Sequence, residues 1–285
     1  MVVFSRSGAA HLCAAFLLLA GGCAGQHASS FGGSRESLEN WALARGFHAE
    51  TIDAGRFRIF SMLRRQFAAA TLPVYIEGDG APWPSAFRPP RDPTPLRPLP
   101  LLLADRDPSP AAAYLGRPCQ YLGEEERNQC GSGYWSDRRF SPEVLEAMNI
   151  AVTRLKQHAG ARRVRLIGYS GGGVVAALLA MRRDDVTEWV TIAAPLALSD
   201  WTAAQGLSPL TGSLDPLTQP ASAITRTATH FAGAKDSIVP PAIVARFVGV
   251  HGGRLETLAD FDHDCCWERD WAQLLRRVPV RETLP

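Results

Sequence analysis

"LIGYSGGGVV", residues 166–175, is the stretch on which the reading of this chain turns. It begins as an apolar run suited to a strand, breaks at Ser170 between glycines, and resumes in small and apolar residues suited to a helix. Gly168-Tyr169-Ser170-Gly171-Gly172 matches G-x-S-x-G, in which flanking glycines let two chain segments approach closely and a strained turn lifts the serine hydroxyl above a sheet. As a bare pattern the match is weak, and a glycine-rich turn with an incidental serine would look the same. Its strand, turn and helix context gives it weight.

Outward from that turn the alternation is regular. "RVRLIGY" reads as a strand, "GGVVAALLAMRR" as a helix, "EWVTIAAP" and "ATHFAGA" as strands, "PPAIVARFVGV" as a helix, "RLETLADF" as a strand and "CWERDWAQLLRRV" as a final helix. Strands apolar on both faces and separated by helices imply an α/β fold with a mostly parallel central sheet covered on both sides. Chemistry in such sheets sits at the carboxyl ends of the strands. Upstream, "ESLENWALARGF" has helical spacing, while "RFRIFSMLRR", "TLPVYIEGDG" and "AAAYLG" read as strands. Residues 81–110 form a proline-rich irregular segment with apolar "LPLLLA" inside it. "SPEVLEAMNIAVTRLKQHAGA" predicts a helix capped by Ser141, with Pro142 and Glu143 in its first turn and Gly160 near its end.

A serine hydroxyl becomes a good nucleophile when a histidine takes its proton and a carboxylate fixes that histidine's tautomer. Asp236 follows the strand "ATHFAGA", and His263 follows "RLETLADF", so both fall at later strand ends in the order Ser170, Asp236, His263. Asp200, past the preceding strand, is the fallback acid, and His251 is the rival base. Each also has a bland reading: Asp236 as a helix cap, His263 as a packing histidine, His251 as a cap beside Gly252-Gly253. The developing oxyanion needs N–H donors. Gly171 supplies one, and the loop "YIEGDG" is placed to supply another from Gly78, Asp79 or Gly80. An acidic Asp79 near the hole disfavours anionic substrates unless its side chain points away. Pocket walls are expected from residues 81–98, from Tyr134 and Trp135 beside the cysteine loop, and from 196–227.

With "YIEGDG", "RPCQY", "GYSGGG" and "FDHDCCW" the chain resembles the α/β-hydrolases, and within them a group of bacterial members that includes lipoproteins. The resemblance covers roughly residues 36–278 and implies a Ser-Asp-His hydrolase without a particular substrate, its broader relatives including esterases, lipases, thioesterases and peptidases. A carboxylic ester is the default expectation and an amide the alternative. The partner is then a small-molecule acyl substrate, with no cofactor.

The first residues carry one positive charge, Arg6, then an apolar stretch from Ala9 to Ala20 and "AGGC", which reads as a signal peptide over residues 1–22 and is too short to span a bilayer. The end of that segment resembles a lipoprotein lipobox with Cys23 as the acylated residue, although Ala20 stands where that pattern most often has Leu. Cleavage beyond Cys23 by ordinary signal peptidase is the alternative. With Ala24 after the cysteine, the lipoprotein resemblance implies the periplasmic face of an outer membrane, with residues 23–35 as a flexible tether and 36–285 as the folded domain. Without the leader, 29 basic residues face 28 acidic ones, which gives no electrostatic case for nucleic acid.

Export makes disulfides expected. Cys119 and Cys130 bracket "CQYLGEEERNQC" and read as a loop staple; Cys265 and Cys266 can bond to each other, stay as thiols or pair elsewhere. Two other classes compete with an enzyme: a catalytically silent, membrane-tethered binding protein on the same fold, and a metal or redox protein built on His263, Asp264, Cys265 and Cys266. Four consecutive side chains lack the spaced pattern of a metal site, so no metal is expected.

Overall fold

A computed structural model describes residues 31, 33–81, 88–220 and 222–279. The leader, Cys23 and most of the tether lie outside the described residues. Eight strands form one sheet: β1 (Phe47–Ala54), β2 (Phe57–Arg65), β3 (Thr71–Ile76), β4 (Ala111–Leu115), β5 (Arg163–Tyr169), β6 (Val186–Ile192), β7 (Thr229–Gly233) and β8 (Arg254–Leu258). Their spatial order is β1-β2-β4-β3-β5-β6-β7-β8. β1, β2 and β4 pair antiparallel, and from β4 through β3 to β8 every pairing is parallel.

Alternation along each central strand divides the core into two layers. Val74 and Ile76 of β3 and Leu166 of β5 face α4 (Pro142–Ala159) and α5 (Gly171–Ala180), together with Val244 and Phe247 of α7 (Pro241–His251). Tyr75 and Ile167 face the opposite layer, built from α1 (Arg35–Leu43), α2 (Leu99–Asp105) and α8 (Trp267–Leu275). With both faces covered, β3 and β5 have few solvent-facing positions, and their sequences run apolar almost throughout. α4 starts where the sequence predicts: the Ser141 hydroxyl accepts from Val144 N–H, Pro142 opens the first turn, and Gly160 closes the helix at φ +68°.

Four features differ from the sequence expectations. "LPLLLA" is not irregular but forms α2, whose residues Leu99–Ala104 are all buried. Pro98 and Pro100 sit at its start, where the missing N–H groups cost little, and burial of four leucines supplies the rest. β1 was not anticipated, because an edge strand paired on one side carries the mixed pattern "FHAETIDA". The cysteine loop contains a short helix, α3 (Glu124–Cys130). Ordered contacts also begin before residue 36: Ser34 caps α1, and Phe31 packs edge-on against Trp41.

Candidate active site

Ser170 sits between β5 and α5 at φ +51°, ψ −124°, a conformation that an L residue adopts only when its surroundings impose it. The glycines around it have steric reasons. A Cβ on Gly168 would lie 2.2 Å from the carbonyl oxygen of Gly172, and one on Gly172 would lie 2.3 Å from that of Ile76. Without side chains at these positions, α5 presses onto the ends of β3 and β5 and the serine projects from the sheet edge. Its own N–H donates to Ile192 O at 2.8 Å, which ties the turn to β6.

Asp236 and His263 come to the same edge from β7 and β8. His263 Nε2 lies 3.2 Å from Ser170 Oγ, and His263 Nδ1 lies 2.9 Å from Asp236 Oδ2. The remaining Asp236 oxygen accepts from Ile238 N–H and Val239 N–H at 2.9 and 2.7 Å, so one carboxylate both fixes its own loop and faces the imidazole. That carboxylate is fully buried, whereas the imidazole keeps some exposure. The base loop is tightly tied: Asp262 Oδ1 accepts from Asp264 N–H and Cys265 N–H, and the Trp267 indole donates to His263 O at 2.9 Å. Tyr169 Oη, next to Ser170 in the chain, reaches His263 O at 3.2 Å and Asp264 Oδ1 at 3.0 Å. Cys265 and Cys266 are bonded to each other, as are Cys119 and Cys130.

The rivals lie elsewhere. Asp200 is exposed and pairs with Arg246 at 3.4 Å. His251 is buried at the end of α7 with Nε2 2.9 Å from Leu217 O. His230 is enclosed in the core beside Thr191, where burial pushes its pKa down to about 3 and keeps it neutral. Among the described residues, no group of His, Cys, Asp and Glu is arranged to hold a metal ion.

The loop 77–80, the candidate source of an oxyanion donor, shows more than the sequence allowed. Gly78 N–H donates to Glu77 Oε1 at 2.8 Å and is therefore taken, which removes it as a donor. Gly80 adopts φ +89° and packs against Pro93, where a Cβ would lie 1.7 Å from the carbonyl oxygen. The N–H groups of Asp79, Gly80 and Gly171 have no hydrogen-bond partner among the described residues, and of the two loop residues Asp79 is the one packed against Gly171. The Asp79 carboxylate does not point away. Its Oδ1 would be 2.0 Å from a Cβ on Gly171, and the charge is met by Arg139 Nη1 at 2.7 Å and Arg117 Nη1 at 3.5 Å. Neither arginine was anticipated as part of the site; "RPCQY" was visible in the sequence but carried no role.

Glu77 underlies the loop. Burial pushes its pKa up to about 8, so the carboxyl is protonated at neutral pH. Tyr114 Oη lies 2.9 Å from Glu77 Oε2 and 3.2 Å from Tyr121 Oη.

Tyr134 and Trp135 do not line the site. Both are buried, Tyr134 edge-on to Phe57 and Trp135 donating to Pro90 O at 2.9 Å. A cavity of about 380 Å³ lies between α6 (Leu198–Ala204) and residues 207–215, with Leu207, Leu210 and Asp215 in its wall. Its lining includes none of Ser170, Asp236, His263 or residues 77–80, so it lies apart from the reacting groups.

No protein-family model matches the chain, and none of the curated proteins does. Solved structures do. An esterase from Pyrococcus furiosus aligns at 13% identity with TM-score 0.52, over 82% of this chain and 92% of that one. Est1E from Butyrivibrio proteoclasticus aligns at 12% with TM-score 0.57, over 80% and 96%. An alpha-beta serine hydrolase homologue from Coxiella burnetii aligns at 15% with TM-score 0.52, over 81% and 96%. The chain has the α/β-hydrolase fold.

Proposed function

We propose that the protein is a serine hydrolase acting on carboxylic esters by an acyl-enzyme mechanism. The observation that carries this reading is the continuous chain from Ser170 Oγ through the His263 imidazole to Asp236 Oδ2, at 3.2 and 2.9 Å, on a strained elbow. His263 takes the proton as Ser170 Oγ attacks the carbonyl carbon. The amides of Gly171 and Asp79 hold the tetrahedral oxyanion, and His263 returns the proton to the leaving alkoxide. Water then repeats the sequence on the acyl-serine and releases the acid. The likeness in fold to the Pyrococcus furiosus esterase and the Coxiella burnetii serine hydrolase homologue agrees with this reading. We further place the protein in an oxidising compartment, tethered through Cys23; the two bonded cysteine pairs support the compartment.

The test is fluorophosphonate labelling of the purified protein beside Ser170→Ala and His263→Ala, followed by p-nitrophenyl esters and anilides of graded chain length. Labelling and ester turnover lost in both variants is the expected result. A folded wild type that neither labels nor turns over any substrate would instead point to a silent binding protein, and faster anilide than ester turnover to an amidase.

A further inference from the structure

We propose that the loop Arg117–Tyr121 is the outer brace of the oxyanion hole: Arg117 and Gln120 are positioning residues that set the Asp79 amide, and the Cys119–Cys130 bond holds them in place. The proposal rests on the serine-hydrolase reading above.

An oxyanion hole works only if both N–H groups are fixed before charge develops. The Gly171 amide is fixed by α5. That of Asp79 lies between Gly78 and Gly80, in backbone with little rigidity of its own. Glu77, Pro93 and Arg139 each touch this stretch, and the loop Arg117–Tyr121 adds contacts on both sides of Asp79. Gln120 Nε2 donates to Gly78 O at 3.1 Å, on one side of Asp79. The same amide nitrogen approaches Gly80 on the other side, 2.8 Å from where a Cβ would stand. Arg117 Nη1 reaches the Asp79 carboxylate, while Arg117 Nη2 donates to the carbonyl of Arg139, the second guanidinium on that carboxylate. Arg117 N–H in turn donates to Gln120 Oε1 at 2.9 Å, locking the amide that holds Gly78.

The brace is held in a conformation that its sequence does not favour. Cys119 and Tyr121, flanking Gln120, have φ of +74° and +59°, the left-handed region in which an L residue's Cβ crowds its own backbone. Such backbone persists where neighbours over-determine it. Here they are the bond from Cys119 to Cys130 and the donation of Tyr121 N–H to Thr94 Oγ1 at 2.8 Å. Arg117, Cys119 and Gln120 are all at most 4% exposed, so this is internal scaffolding and not a substrate surface.

The brace also settles the charge beside the hole. The Asp79 carboxylate packed on Gly171 would oppose an oxyanion, and the two guanidiniums offset it. Burial lowers the Arg117 pKa to about 10, which leaves it charged at neutral pH.

The experiment compares Arg117→Met, Arg117→Lys, Gln120→Ala and the pair C119S/C130S with wild type. Three readouts are taken: kcat and KM on p-nitrophenyl butyrate per fluorophosphonate-reactive serine, hydrogen exchange of the peptide spanning 77–81, and thermal melting. We expect kcat to fall about 10- to 100-fold in R117M and Q120A with KM within about twofold, as for a displaced catalytic group, and exchange at 78–80 to speed up. R117K recovers part of kcat by restoring a charge to Asp79. C119S/C130S falls in the same direction while Cys265–Cys266 stays intact. In the D79N background, R117M is expected to add little further loss. An active wild type whose variants keep kcat per reactive serine, whatever their melting temperature, would overturn the brace alone. So would unchanged exchange at 78–80. A wild type inert to the probe would overturn the hydrolase reading and the catalytic role of the brace with it, and exchange would still report whether the tethers exist.

Discussion

At the residue scale, Asp236 does two things with two oxygens. Oδ1 holds the turn through Ile238 and Val239, and Oδ2 fixes the imidazole. In Asp236→Asn the side-chain oxygen can keep the turn while the NH2 group faces Nδ1, which favours the wrong imidazole tautomer. We expect kcat to fall by about 10³- to 10⁴-fold with an unchanged circular dichroism spectrum; a loss under tenfold would remove Asp236 from the triad. Tyr169 acts at one remove. Its hydroxyl joins the elbow to the base loop at His263 O and Asp264. Tyr169→Phe keeps the ring beside His263 and removes that link, so kcat should fall about tenfold at constant KM. Equal losses in kcat/KM for every substrate, read from progress curves, would mark it as positioning; a loss confined to one acyl group would mark it as a substrate contact.

At the element scale, the site exists because α5 approaches β3 and β5 without a single intervening Cβ. Gly172→Ala would place a methyl 2.3 Å from Ile76 O and 2.5 Å from Glu77 O, both backbone atoms that carry the oxyanion loop. The expected cost is about 3 kcal/mol or more, at the upper end of core overpacking, read as a drop in the urea midpoint. Activity should fall further than stability, since relief requires moving residues 77–79. In the sheet itself, Arg165 of β5 pairs with Glu188 of β6 at 2.6 Å, with Glu188 only 4% exposed. Burial raises the Glu188 pKa against the lowering effect of Arg165. Arg165→Met leaves that carboxyl buried without its partner, and we expect roughly 3–5 kcal/mol of destabilisation, largely recovered by adding Glu188→Gln. Equal instability of the single and double variants, by urea titration, would assign the loss to Arg165 packing instead.

At the scale of the whole molecule, Glu77 links stability to pH. Its folded pKa, about 8, stands above the ordinary value of 4.5, so its contribution is full below pH 4.5 and is lost as pH rises through 8. The melting temperature should decline between about pH 5 and pH 9. In Glu77→Gln, whose amide can donate to Tyr114 and accept from Gly78, that slope should flatten. A slope of the same size in the variant would assign it to other groups. Much of this architecture was legible in the chain. Ser170, Asp236 and His263 each follow their own strand directly, and a parallel sheet brings successive strand ends to one edge, so sequence order alone sufficed to nominate them as a candidate triad. α2 and β1 were not legible: burial on one layer turned a proline-rich run into a helix, and an edge position allowed a strand with a mixed pattern. By itself the sequence determined the α/β alternation and the glycine spacing at the elbow, because periodicity and steric demand are local. Only the tertiary structure decided what neutralises Asp79 and what holds the loop on either side of it. Those answers come from Arg117 and Gln120, just past β4, and from Arg139, just before α4, all dozens of residues away along the chain, where no local pattern reports them.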